Sequence, residues 1–321
     1  MAKAGLGRRL DEIYSKTEGP DLSSFITEEK MPDSPRAAVI WMILGSFCFG
    51  TMNALVKWTS DYTDIWMIIM VRSAVIAFTV AAFAASRGIS LKVNDHRTML
   101  LRCIVGLIAM ILYFTALGRI PIGQAVTLQY TGPLFVALLS GRILAERVSA
   151  SVASLVLTAF AGIVLIVSPE VGTVDPNALL ALGSGFFAAL AYMYVRELRK
   201  TDSPAIVIFW FAAFSVVGSI VQSAPHIPEL DSKTIAALIG IGIGAGGGQL
   251  GITMAYHKAN AAWVSAFSYL TVLVATFYGF SLFGETLSLA DWLGGALVVG
   301  SGIALVFVFP PDEKSESGNA A

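Results

Sequence analysis

From Ala37 onward the chain alternates long apolar runs with short polar breaks. Ten runs stand out, at approximately 37–57, 65–86, 98–117, 122–143, 149–168, 177–195, 204–224, 234–256, 260–283 and 288–309. Each holds roughly 19 to 23 residues, long enough for a bilayer core of about 30 Å at a helical rise of about 1.5 Å per residue. The breaks are brief and polar, such as SDYTD at 60–64 and RELRKTDSP at 196–204. The pattern predicts an all-α integral membrane protein with ten transmembrane helices and no domain outside the bilayer.

Composition agrees. Hydrophobic residues make up 56% of the chain and charged ones 13%, about half the charge of a soluble domain. Residues 1–36 differ, with six Lys or Arg, seven Asp or Glu and no apolar stretch after the methionine, so they predict a polar tail rather than a signal peptide. If that tail is cytoplasmic, 17 of the 21 basic residues fall on the same side, which leaves Lys57, Arg119 and Lys233 opposite and Arg72 within a span. Such an imbalance predicts both termini, 1–36 and 310–321, on the cytoplasmic side of a cell inner membrane. Cys48 and Cys103 lie in apolar runs and read as small core residues.

The chain also resembles itself. Residues 116–146 align without a gap on 255–285, pairing Ala116 with Ala255, Arg119 with Lys258, Tyr130 with Tyr269 and Glu146 with Glu285. A weaker match sets Gly45-Ser46 on Gly183-Ser184. Two five-span units are therefore expected, 37–168 and 177–309. Because five is odd, the second unit enters the membrane from the opposite side, which gives an inverted-topology repeat.

GIGIGAGGGQLG at 240–251 contains a G-x-G-x-x-G pattern, yet it falls inside the eighth run, without a preceding strand or an acidic residue about 20 positions on. A dinucleotide loop is excluded, and no cofactor is expected. Gly240, Gly244 and Gly248 recur every four residues, as do Gly247 and Gly251, which predicts a small-residue face for close helix packing. The competing reading loosens the helix at Gly246–Gly248. Gln249 is then the residue of this stretch expected to face a solute.

The run ALGRIPIGQAVTLQYTGPLFVALLSGRILAERVSASVASLVLTAFAGIVLIV and its partner ending FGETLSLADWLGGALVVGSGIALVF resemble the EamA repeat of the drug/metabolite transporter superfamily, present twice. MVRSA around Arg72 and LLRCIVG around Arg102 resemble the branch holding S-adenosylmethionine and riboflavin carriers, with Cys103 where that branch has glycine. The resemblance implies two repeats around a central cavity, alternating access and a small organic cargo, best matched by an S-adenosylmethionine-like or flavin-like metabolite. An amino-acid or metabolite exporter is the alternative.

Polar groups at membrane depth are the place to seek a site, because leaving them in lipid costs several kcal/mol. Arg72 lies about 10 Å inside the outer interface and Arg102 about 6 Å from the start of the third span, near enough for its side chain to snorkel inward. Gln129 and Tyr130 on the fourth span and Ser265, Ser268 and Tyr269 on the ninth are repeat-related and central, and offer directional hydrogen bonds with aromatic faces. Asn53, Tyr113, Tyr192, Trp210 and Gln249 form a second tier. Glu146 and Glu285, each at the end of a span, read as turn-fixing caps rather than proton carriers.

No carboxylate occupies the middle of a run, so exchange or facilitated diffusion is the default coupling. An enzyme would gather His, Asp, Cys or paired carboxylates at one depth, and a channel would show rings of like residues. Neither pattern is present, and no metal site or nucleic-acid partner is expected. The partners implied are the lipid bilayer and a small-molecule solute.

Overall fold

The computed structural model describes residues 35–143, 150–167, 174–225, 230–258 and 267–308. Glu146, Ser265, almost all of the 1–36 tail and the 310–321 tail lie outside them. The described residues form α1 (Pro35–Thr59), α2 (Ile65–Ser86), α3 (His96–Leu117), α4 (Ile122–Gln129), α5 (Gly132–Ile143), α6 (Ala150–Val167), α7 (Pro176–Leu198), α8 (Pro204–Ser223), α9 (Ser232–Lys258), a 3₁₀ turn (Phe267–Tyr269), α10 (Leu270–Phe283) and α11 (Leu289–Val308). Among them α1, α2, α3, α7, α8 and α9 are long and apolar enough to cross a membrane, and the stretches Ser154–Ile166, Phe267–Phe283 and Leu289–Ala304 are shorter apolar helices.

Aspartates start several of these helices. Asp64 accepts the Trp66 N–H at 2.8 Å, Asp95 that of Thr98 at 3.1 Å, Asp175 that of Asn177 at 2.8 Å and Asp231 that of Thr234 at 2.9 Å. Each satisfies a donor that the first helical turn leaves open. Large side chains such as Phe78, at 76% exposure, Val221 and Phe280 point outward, as lipid contact requires of a bundle whose outer surface is apolar.

The fourth run was expected as one helix over 122–143, but it is broken between α4 and α5. Pro133 has no N–H to offer the Gln129 carbonyl one turn back, so the helical ladder cannot pass through. In the other repeat, the described part of the ninth run opens with the Phe267–Tyr269 turn before α10 begins.

Helix pairing follows one rule. α1 lies along α9 and α3 along α7; α2 touches α9 and α8 touches α3; α10 meets α1, while α4 and α5 meet α7. The remaining principal pairs are α2 with α8, α6 with α11 and α4 with α10. Exchanging the two five-run units converts this set of pairs into itself.

Glycines set the closest approaches. A Cβ on Gly251 would stand 2.6 Å from the Gly45 Cα and 2.7 Å from the Trp41 carbonyl, and Gly240, Gly244 and Gly248 face Leu55, Met52 and Phe49 of the same helix. The small-residue face of 240–251 thus packs on α1, and α9 runs unbroken through Gly246–Gly248. Gly246 alone of these has open space around it. Gly162 and Gly294 make the equivalent crossing of α6 with α11, each 2.6 Å from the other's carbonyl by the same measure.

Candidate functional site

The break between α4 and α5 presents Tyr130. Its N–H donates to the Val126 carbonyl at 2.9 Å, and the next residue, Thr131, donates its N–H and its hydroxyl to the Leu128 carbonyl at 3.2 and 2.6 Å. α7 closes on this turn through Gly185, where a Cβ would stand 2.7 Å from Thr131 Oγ1 and 3.1 Å from the Gln129 carbonyl. Any side chain at 185 would push α7 off the turn.

Tyr269 ends the matching turn of the second repeat. The two tyrosine rings meet with centroids 5.7 Å apart at 55°, a tilted pairing favoured by ring quadrupoles. The Tyr269 ring rests on Gly302 of α11, whose missing side chain leaves it room. Tyr113, 8% exposed, stands beside Tyr130 and the Asn53 amide. Gln129 and Ser268 flank the pair and are partly buried.

Two arginines extend the cluster. Arg72 Nη1 donates to Met110 Sδ at 3.3 Å, its guanidinium lies 5.8 Å from the Phe114 ring centroid, and its Nε is buried without an acceptor. Arg102 was expected to snorkel to the interface. Instead its guanidinium lies 4.2 Å from the Phe211 centroid on α8, with Nε and Nη1 buried and without acceptors. Gly106, one turn on, provides the space, since a Cβ there would overlap Arg102 Nη1. Phe211 and Gly106 are therefore site residues that sequence reasoning missed, although the spacing of Arg102 and Gly106 by one turn was a visible signal.

Tyr192 is 57% exposed, yet its neighbours are Arg102, Tyr113 and the buried Gly132. Its ring is set among α3, α5 and α7. Trp210 is placed differently from the rest of the second tier: its indole N–H donates at 2.8 Å to the Leu91 carbonyl in the α2–α3 connection. An indole donor takes the carbonyl that reaches it. Gln249 is exposed on α9, beside glycines that face α1.

Glu285 sits between the units. Its Oε1 pairs with Lys57 Nζ at 2.6 Å, its Oε2 accepts the Ile122 N–H at the start of α4 at 2.8 Å, and Lys57 also donates to the Ile120 carbonyl at 2.8 Å. The carboxylate thus caps α4, a helix of the other unit, in place of the N-cap bond that Pro121 cannot supply. Lys57, read from sequence only as an outer-loop charge, is its partner. Beside this pair a groove of about 490 Å³ runs between α10 and α11, with Phe280 and Trp292 on its wall. Both side chains are mostly exposed on the outer flank of the bundle, apart from the tyrosine pair.

Comparison with known proteins fixes the family. The model of the EamA-like transporter family matches residues 36–168 and again 176–308. The chain belongs to the EamA-like transporter family. As an EamA-like protein with two repeats it falls within the drug/metabolite transporter superfamily. It is 28% identical over 280 residues to an uncharacterized transporter of Helicobacter pylori, covering 83% of this chain and 93% of that one. It is 28% identical over 275 residues to the pseudopaline exporter of Pseudomonas aeruginosa, covering 85% and 97%. A riboflavin transporter of Vibrio cholerae is 26% identical over 271 residues, covering 83% and 91%. A crystal structure overlays with a TM-score of 0.57 at 20% identity, across 84% of this chain and 98% of that one, which speaks to the fold alone. These similarities make the chain a multi-pass membrane transporter of a small-molecule solute.

Proposed function

We propose that this EamA-like chain carries a small organic metabolite across the cell inner membrane by alternating access, with ten spans arranged as two inverted five-span repeats and both termini cytoplasmic. The observation that carries the reading is the contact of Tyr130 with Tyr269: repeat-matched residues, each on an irregular turn within an apolar run, meet ring to ring. Irregular backbone at membrane depth is tolerated where it is covered by protein or lines a cavity. A pair of matched turns gives the two units a common point about which to rock.

Arg72, Arg102, Asn53, Tyr113, Tyr130, Tyr192 and Tyr269 form the solute site, with Gln129 and Ser268 at its edge and Glu285 as a structural cap. The cavity lies on the α3–α7 side, where Tyr192 is exposed. Riboflavin and pseudopaline transporters among the relatives support an organic solute with polar edges, flavin-like or S-adenosylmethionine-like, and the exporter keeps metabolite export as the alternative. An integral membrane enzyme is the weaker reading, because the polar cluster lacks an acid–base pair.

Counterflow in proteoliposomes tests the proposal with riboflavin, S-adenosylmethionine, amino acids and nucleosides, with and without a pH gradient. Saturable counterflow of one compound is expected, and its loss in Arg72→Ala with the protein still folded and inserted. Unchanged uptake in that variant removes Arg72 from the site. Cysteine accessibility must place the 169–176 and 196–204 loops on opposite sides; finding them on one side ends the inverted-repeat reading.

A further inference from the structure

Arg72 and Arg102 reach the same helix one turn apart, Arg72 at Met110 and Arg102 against Gly106 of α3, and both lie well inside their own helices. Arg72 is about 10 Å from the start of α2, and Arg102 about 9 Å from the opposite membrane face at the start of α3. Neither has a carboxylate partner among the described residues. The ion pairs among the described residues are Lys57 with Glu285 and Lys200 with Glu197. The strongest acceptor Arg72 reaches is a thioether, a weak one, and Arg102 rests on an aromatic face. Three guanidinium nitrogens, Arg72 Nε with Arg102 Nε and Nη1, are buried without acceptors.

Buried guanidinium donors left open cost more than buried neutral ones, and two like charges in one interior add repulsion. Such a pair is stabilised when an anion fills the space between them, because charge-assisted bonds form on both sides and the repulsion becomes attraction. The repeat reinforces the point. The offsets of 138 and 139 that relate the two units carry Arg72 to Trp210 or Phe211 and Arg102 to Gly240 or Ile241, all uncharged, so the positive charge is confined to one unit while the tyrosines are shared. Charge placed on one side of a symmetric aromatic pair suits a solute with a charged end and a planar body.

We infer that the solute is an anion whose carboxylate or phosphate group lies between Arg72 and Arg102 while its planar part rests against Tyr130 and Tyr269. This deepens the carrier reading and rests on it for the identity of the site. Among the flavin-like and nucleoside-like solutes proposed above, it selects those that carry a carboxylate or a phosphate. Gly106 takes part as a positioning residue, since the space it leaves lets the Arg102 guanidinium lie over Phe211.

The test uses matched pairs that differ only in a phosphate: riboflavin against riboflavin 5′-phosphate, and adenosine against adenosine monophosphate. Binding to the full chain is followed by thermal unfolding in phosphatidylcholine nanodiscs. At least one monophosphate is expected to half-saturate at a concentration about tenfold or more below its parent, with the preference shrinking as salt rises. Arg72→Gln and Arg102→Gln are expected to abolish the preference, and Arg102→Lys to keep part of it. Gly106→Ala is expected to reduce the preference without removing a charge, which also guards against loss of folding in the Gln variants.

Equal response to both members of each pair, including no response to either, overturns the anion inference. So does stabilisation that appears only when phosphatidylglycerol is added, since the counter-charge is then a lipid headgroup. Counterflow of the same compounds separates the two levels of the argument. Transport of a neutral parent without preference sinks the anion and leaves the carrier standing. A monophosphate that binds with the stated preference but shows no counterflow keeps the site and sinks the carrier.

Discussion

Two helix crossings that the repeat relates are built in opposite ways. Where α1 crosses α9, Gly45 meets Gly251 backbone to backbone, and Lys57 at the end of α1 is tied to Glu285 and the Ile120 carbonyl. Where α3 crosses α7, the counterpart of Gly45 is Gly183, and it meets the Leu112 side chain 3.5 Å away. No such tie is found at the matching end of α7 among the described residues: Arg196 there is exposed. The same pairing of helices is therefore tight on one side and loose on the other, and the loose side carries Arg102, Tyr113 and Tyr192. Symmetry of topology is compatible with a site that belongs mostly to one side, because helix pairing depends on length and apolar faces while chemistry depends on single residues.

Removing the tie should have the largest effect. Lys57→Ala leaves the Glu285 carboxylate without its cation in a site where the two side chains are 17% and 12% exposed. Breaking a buried pair in this way costs about 3 kcal/mol. Arg196→Ala, at the matching end of α7, should stay within about 0.5 kcal/mol of the parent as an exposed substitution. Paired denaturation curves in detergent check both values. Comparable losses would mean that the two ends are equally anchored and would erase the contrast.

The crossings themselves come next. Gly251→Ala forces a methyl against the Gly45 Cα and the Trp41 carbonyl, rigid atoms that cannot give way, and overpacking of this kind costs about 1 to 3 kcal/mol. Gly183→Ala meets a leucine methyl at ordinary contact distance and gains up to about 1 kcal/mol of helix propensity, so it should be neutral or slightly stabilising. Melting temperatures of the two variants decide the matter. A destabilising Gly183→Ala would show that α3 and α7 also need full contact.

Much of this arrangement was legible in the sequence because it depends on periodicity. The apolar runs, the duplicated unit and the Tyr130–Tyr269 correspondence follow from run length and offset, which survive any detail of packing. The packing face of Gly240, Gly244 and Gly248 was legible for the same reason. The break after Gln129 was masked by an unbroken apolar run, although Pro133 signalled it. Arg102 was misplaced because its position depends on Phe211, more than a hundred residues away, and Trp210 because its partner is a loop carbonyl. Contacts of that kind are fixed by tertiary packing and leave no local pattern. Glu285 reads in the sequence as a turn-fixing cap at the end of its own span, whereas its carboxylate accepts the Ile122 N–H of the other unit.

The smallest prediction concerns a feature the two units share. α3 and α9, counterparts in the repeat, both begin with Asp-x-x-Thr, and in both the threonine bonds the aspartate. The hydrogen bonds from Thr98 and Thr234 hold the Asp95 and Asp231 carboxyls below their ordinary value of 3.8. A carboxyl so lowered favours the folded state above its ordinary value, and the contribution disappears as the pH falls through the lowered one. Asp95→Ala and Asp231→Ala should therefore each lower the melting midpoint at neutral pH by about 2 °C, and the difference from the parent should close below about pH 3.8. Asparagine at either position keeps a cap without a titrating group, so most of the midpoint should return while its dependence on acid is lost. Equal losses at both positions would confine the asymmetry to the crossings. A larger loss at Asp95 would extend it to the end of α3, where Asp202 also holds the Asn94 and Asp95 N–H groups at 2.8 and 3.3 Å.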